Sequence, residues 1–301
     1  MRKVLNISGG ATKIAGLAGA ADYIINEYGY KPTDITGVSS GSILSLPIAM
    51  GKWEDIRKLT TTFSLDDIFD KKPVNKNNRI KFNAVIRALT GKLSFGTQNK
   101  LKSTLGKVIT PLDFFNYQNN EMYPDCYIGA VDFKTGSRKV YNLKNRSIKY
   151  DDYLDIVNAS SSIPLAVEPV YLNGCILYDG DVRNHILSTW AIENIENIET
   201  SISIFSRPKN INDILNDNWS PKNIIDVFNR YIAINNIEIS KSDEENEKLL
   251  ADLYSKNGYN IDVKQIFTPF IIKELYDTDP EKLKRLYNLS YESAKESLNK
   301  F

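Results

Sequence analysis

Gly37-Val38-Ser39-Ser40-Gly41 constrains this chain more than any other stretch. Asp34-Ile35-Thr36 before it reads as the end of a strand, and residues 42–50 after it read as an apolar helix. A strand that reverses sharply into a helix crowds its turn, so the flanking positions favour glycine, which has no Cβ to clash. The serine between them projects outward, beside a helix N-terminus that favours negative charge. Gly37 and Gly41 are thus expected to frame an exposed, nucleophile-type serine at Ser39.

The surrounding pattern predicts an α/β fold. A short strand at residues 3–7 runs into Ser8-Gly9-Gly10-Ala11-Thr12-Lys13, and residues 14–28 carry Ala, Gly and Leu at helical spacing before Gly29. Strand, glycine turn and small-residue helix form the first half of a βαβ unit, which implies a parallel sheet. From about residue 52 to 125 the chain reads as mostly helical, with helices at 82–89 and 95–109 and Asn- and Lys-rich loops at 71–78. This stretch is expected to be an insertion capping the serine within a single domain over 1–301. Strands at 126–131 and 138–143 flank a turn at Lys134-Thr135-Gly136, and strands at 166–171 and 175–178 flank Asn173-Gly174. Residues 153–160 read as a helix and 201–205 as a strand. Helices at 224–239, 243–256 and 280–298 and a strand at 262–267 complete the reading, with Asp243-Glu244-Glu245 as a solvated helix start.

A net charge of +1 gives no global steering toward nucleic acid or an anionic membrane, and a local basic patch is not visible in totals. Cys126 and Cys175 lie far apart without ligand spacing, so neither a disulfide framework nor a zinc site is expected. The N-terminus lacks the apolar core of a signal peptide, and no run of eighteen apolar residues exists, so the expectation is a soluble, cytoplasmic protein. A single histidine, His185, excludes metal sites built on two or three histidines. Any Ser-His-Asp triad would have to use it, and its spacing six residues after Asp179 makes that arrangement awkward. A packing role is the expectation for His185.

Three features combine into one chemistry. Ser39 is the candidate nucleophile, and an unassisted hydroxyl needs a base within hydrogen-bond reach. Asp179, in Asp179-Gly180-Asp181 at a strand end, is the candidate base. The amides of Gly9, Gly10 and Ala11 form a turn at a helix N-terminus, able to aim N–H groups at a developing oxyanion. Lys13 is a candidate neighbour of that turn.

Taken in this order, Ser8-Gly9-Gly10-Ala11-Thr12-Lys13, the Ser39 pentapeptide and Asp179-Gly180-Asp181 resemble the patatin-like phospholipases. Ala159-Ser160-Ser161-Ser162-Ile163-Pro164, Glu168-Pro169-Val170, Val182-Arg183-Asn184 and the Asp279-Pro280-Glu281-Lys282-Leu283 helix start support the likeness. The resemblance implies a three-layer α/β/α sandwich with a central mixed, largely parallel sheet. It also implies a lipid acyl hydrolase that uses a Ser39–Asp179 dyad without histidine, catalytic calcium or other cofactor. Gly9, Gly10, Ala11 and the Ser40 amide would form its oxyanion hole, and a phospholipid or other acyl-ester lipid would be the substrate, met through peripheral contact with a membrane. Two positions depart from the family pattern: Ala11 replaces a third glycine, and Asp181 follows Gly180 where Gly or Ala is usual. A non-catalytic lipid- or protein-binding module and a general carboxylesterase are the alternatives.

Overall fold

In the computed structural model, which describes residues 1–74, 81–215, 219–221, 224–272 and 276–299, eight strands join one sheet. The chain runs through β1 (Arg2–Ile7), α1 (Ile14–Asp22), β2 (Asp34–Val38) and α2 (Ser40–Ala49). A helical stretch follows: α3 (Trp53–Thr62), α4 (Leu65–Ile68), α5 (Phe82–Leu89), α6 (Lys100–Val108) and α7 (Pro111–Asn119). Next come β3 (Asp125–Asp132), β4 (Ser137–Asn142), α8 (Tyr150–Ser160), β5 (Val170–Leu172), β6 (Cys175–Asp179) and α9 (Ser188–Asn194). β7 (Ile198–Phe205), α10 (Ile224–Lys256), β8 (Asp262–Phe267) and α11 (Pro280–Leu298) complete it.

The five strands β8, β7, β1, β2 and β3 are parallel neighbours in that order. β4 and β6 pair antiparallel with β3, and β5 pairs antiparallel with β6. The sheet is therefore mixed and largely parallel, with helices on both faces. Alternation along β1 sets the layers: Leu5 and Ile7 enter the main core with α1, α2 and α11, whereas Val4 packs on the other face with α9 and α10. The Ala and Gly spacing of α1 has a packing cause. A Cβ on Gly19 would lie 2.1 Å from the carbonyl oxygen of Tyr287, so α11 approaches α1 backbone to backbone. Among the described residues, no helix is long and apolar enough to cross a membrane.

Several boundaries differ from the sequence reading. The helices expected at 224–239 and 243–256 are one continuous helix, α10. Its polar residues resemble a break because tertiary partners use them: Ser240 accepts a bond from Arg207 Nε at 2.7 Å, and Asp243 accepts the His185 and Ile186 amides. Asp243 is buried, not a solvated helix start. The helix expected at 95–109 begins only at Lys100, because Gly96 and Thr97 are held extended by bridges to Val167 and Lys71. The helix expected at 14–28 is α-helical to Asp22 and closes with one wider turn over Tyr23–Glu27. The strand expected at 166–171 is restricted to Val170–Leu172. Of the 71–78 loop, residues 75–78 lie outside the described residues.

Candidate active site

One strand brings Ser39 and Asp179 together. β2 pairs with the first part of β3, ending at Val38 opposite Gly129. β6 runs the other way along the same edge of β3, ending at Asp179 opposite Ala130. The C-terminal ends of β2 and β6 therefore meet head to head on consecutive residues of β3. Ser39, the residue after Val38, donates its hydroxyl to Asp179 Oδ2 at 2.7 Å, and both residues are buried.

The elbow is as tight as its glycines imply. Ser39 has φ 52° and ψ −121°, a conformation that a non-glycine residue holds only when its surroundings enforce it. A Cβ on Gly41 would lie 2.3 Å from the Ile7 carbonyl oxygen, and one on Gly37 would lie 2.3 Å from Ser45 Oγ. Across the junction, a Cβ on Gly180 would lie 2.6 Å from the Gly129 carbonyl oxygen. Ser160 braces the strained turn: its Oγ accepts the Ser39 amide at 3.0 Å and donates to the Gly129 carbonyl at 2.6 Å. The Ser162 carbonyl accepts the Asp179 amide at 2.9 Å. The serine run after α8 is therefore structural support for both members of the pair.

Burial pushes the Asp179 carboxyl well above the usual carboxylate range. The nearby Asp181 charge adds to that shift, while bonds from the Asp181 amide and the Ser39 hydroxyl oppose it. A carboxylate made more basic, already holding a hydroxyl proton, is suited to general-base chemistry.

The turn at residues 9–11 lies next to the elbow, but its three amides are not equivalent. The Gly9 amide donates to the His185 carbonyl at 2.8 Å, which removes it from the expected set of free donors. The amides of Gly10 and Ala11 have no acceptor among the described residues. Ala11 takes φ 48°, so alanine here occupies the left-handed region that a glycine would reach without strain. Ser40 opens α2, and its buried Oγ has no partner among the described residues. It lies 3.3 Å from where a Gly10 Cβ would be.

The His185 ring is bonded to neither Ser39 nor Asp179 among the described residues. Its Nδ1 is 2.6 Å from Asp181 Oδ1 and its Nε2 is 3.3 Å from Ser206 Oγ. Ser206 donates its hydroxyl to the Gly9 carbonyl, and its amide donates to Ser8 Oγ. Ser206 is a support that the sequence reading did not single out, Ser160 lies in a run noted only for its family likeness, and Asp243 was expected to be solvated. Their partners lie in distant segments, which local sequence does not specify. Lys13 is drawn below its ordinary pKa by burial, with the Asp181 charge opposing, and its Nζ lies 5.5 Å from the Phe270 ring centre.

An apolar cavity of about 790 Å³, its mouth included, opens beside Ser39, Ser40 and Ala11. Its walls carry Ile43, Leu59, Phe63, Ile68, Leu101 and Leu105, so α3, α4 and α6 flank the serine. The polar side chains among them are turned to protein partners. Thr60 donates to the Ile56 carbonyl, Thr104 to that of Asp67, and Gln98 to the Asn158 carbonyl and Ser162 Oγ. Hydrocarbon makes up most of the remaining wall.

A family model described as patatin-like phospholipase matches residues 5–188, a span that contains the elbow, the 9–11 turn and Asp179. Among solved structures, VipD from Legionella pneumophila matches 99% of this chain and 67% of its own with a TM-score of 0.55. At 13% sequence identity that likeness concerns the fold. No match is found among curated proteins.

Proposed function

The chain belongs to the patatin-like phospholipase family of lipid acyl hydrolases, and on that premise we propose that it cleaves fatty-acyl esters of phospholipids or lysophospholipids. The observation that carries this reading is the buried 2.7 Å bond from Ser39 Oγ to Asp179 Oδ2. The apolar cavity takes the acyl chain and leaves the ester carbonyl at Ser39, with α3, α4 and α6 as a cap over the chain.

Ser39 Oγ attacks the carbonyl carbon as Asp179 takes its proton. The carbonyl oxygen gathers negative charge and is held by the amides of Gly10, Ala11 and Ser40 at the start of α2, with the Ser40 hydroxyl turning to donate as well. Collapse of this intermediate breaks the ester C–O bond, and Asp179 returns the proton to the leaving alcohol. Water, deprotonated by Asp179, then attacks the acyl-serine and releases the fatty acid, and the proton passes back to Ser39. No step needs a histidine or a metal.

Mixed phospholipid vesicles in EDTA provide the test. The wild-type protein is expected to release fatty acid and lysolipid, with a loss of at least about 10³-fold in Ser39→Ala and in Asp179→Asn. Full activity in Asp179→Asn would remove the dyad from the mechanism. Absence of fluorophosphonate labelling at Ser39, together with Ser39-independent lipid binding, would instead favour the non-catalytic module.

A further inference from the structure

Charge is unevenly distributed along this chain. Residues 71–112 hold ten of the 38 Lys and Arg and none of the 37 Asp and Glu. The remaining positions therefore carry 28 basic against 37 acidic residues, so one basic stretch is set in an otherwise acidic chain. Lys72, Arg87 and Lys102 pair with Asp66, Glu168 and Asp155 from outside the stretch. Lys81, Lys92, Lys100 and Lys107 are exposed and make no ion pair among the described residues.

This stretch also contains a helix with an exposed apolar face. On α5, Phe82, Ile86 and Leu89 recur at i, i+4 and i+7, which places them in one row. They are 77%, 42% and 81% exposed, and Leu93 just beyond the helix is 58% exposed. Ala84, on the opposite side of the helix, is buried, so α5 is seated on the protein with its apolar row outward. A row of large hydrocarbon side chains facing water and flanked by lysines is the pattern of a helix that lies in a membrane interface.

Its position bears on the active site. The segment carrying α5 leaves and rejoins the body at a bridge between Lys71 and Thr97, and the nearby Phe69 and Gln98 line the cavity. The Phe95 amide donates to the Leu165 carbonyl at 2.8 Å, and the half-exposed Leu165 lies two residues from Ile163 in the cavity wall. The segment that carries the outward row is therefore anchored beside the cavity wall.

We propose that α5, with Leu93 and the surrounding lysines, docks this protein on an anionic phospholipid bilayer and sets the cavity mouth against the interface. Exposed lysines that make no ion pair among the described residues select a negatively charged leaflet, and the Phe82–Leu89 row enters the acyl boundary. The purpose of this docking rests on the reading of Ser39 as a lipid hydrolase, whereas the docking itself can be measured without turnover.

Co-sedimentation of the full chain with phosphatidylcholine vesicles, with and without phosphatidylserine at about 30 mol %, tests the proposal. Wild-type and Ser39→Ala proteins are expected to bind the serine-containing vesicles about tenfold or more tightly than the neutral ones, with added salt weakening the difference. The double variant Phe82→Asp, Leu89→Asp is expected to lose about tenfold or more of that binding. It should keep the wild-type circular dichroism spectrum and the wild-type rate on a soluble short-chain ester, because both side chains are on the surface. Equal binding to both vesicle types, no binding, or undiminished binding by the double variant would overturn the proposal. Vesicle binding by a wild-type protein that releases no fatty acid would leave the docking standing and remove the hydrolase reading.

Discussion

Asp181 influences the site from two sides: its side chain holds His185, and its charge raises the pKa of the neighbouring Asp179. Asp179 accepts a proton only when ionised, so turnover falls as pH drops through its raised pKa. Asp181→Asn keeps an oxygen for His185 and the backbone amide for Asp179, but removes the like charge. The acid limb of kcat/KM on a short-chain ester is expected to move to lower pH, and an unchanged limb would exclude coupling between the two carboxylates. Ala11 supplies a second residue-scale prediction. Held at φ 48°, it is expected to yield about 1 kcal/mol of stability on Ala11→Gly, read as a Tm higher by about 2 °C. An unchanged or lowered Tm would mean that the turn stores no strain at this position. Ser39 and Asp179 were legible in the sequence because local motifs mark both. The engagement of the Gly9 amide was not, because its acceptor is a carbonyl contributed by a distant segment.

Among the elements, α10 departs from its sequence pattern, and it also carries a buried carboxyl, Glu247. Ser201 and Ser203 of β7 donate to Glu247 Oε1, and Gln265 of β8 donates to Oε2 at 2.9 Å. Burial pushes this carboxyl up to about 7 from an ordinary value of 4.5, although these bonds oppose the shift. The folded state thus favours the protonated form. The stabilising contribution is complete below about 4.5 and is lost as pH rises toward about 7. Thermal melts across this window should show the Tm difference between wild type and Glu247→Gln shrinking or reversing as pH rises. A difference independent of pH would place the titration elsewhere. Periodicity found α2, α11 and the Asn173-Gly174 hairpin because local spacing specifies them. It divided α10 because charged residues that look solvated in sequence are satisfied there by other strands and loops. The apolar row on α5 was not singled out in the sequence, although an acid-free basic stretch coincides there with apolar residues at i, i+4 and i+7.

For the whole molecule, the α/β class followed from the first strand, turn and helix, but the sheet order did not. That β6 continues along the β3 edge vacated by β2 depends on pairing between remote segments, and this junction positions the reacting oxygens. The side-chain period of a strand is two, so a one-residue slip of β6 against β3 would turn Asp179 to the opposite face of the sheet. The helical stretch between β2 and β3, including the helices that wall the cavity and the row that faces outward, lies outside those few backbone pairings. Segments there can lengthen, shorten or change character while the two oxygens keep their separation. What surrounds the pair can thus be remade without disturbing the pair itself.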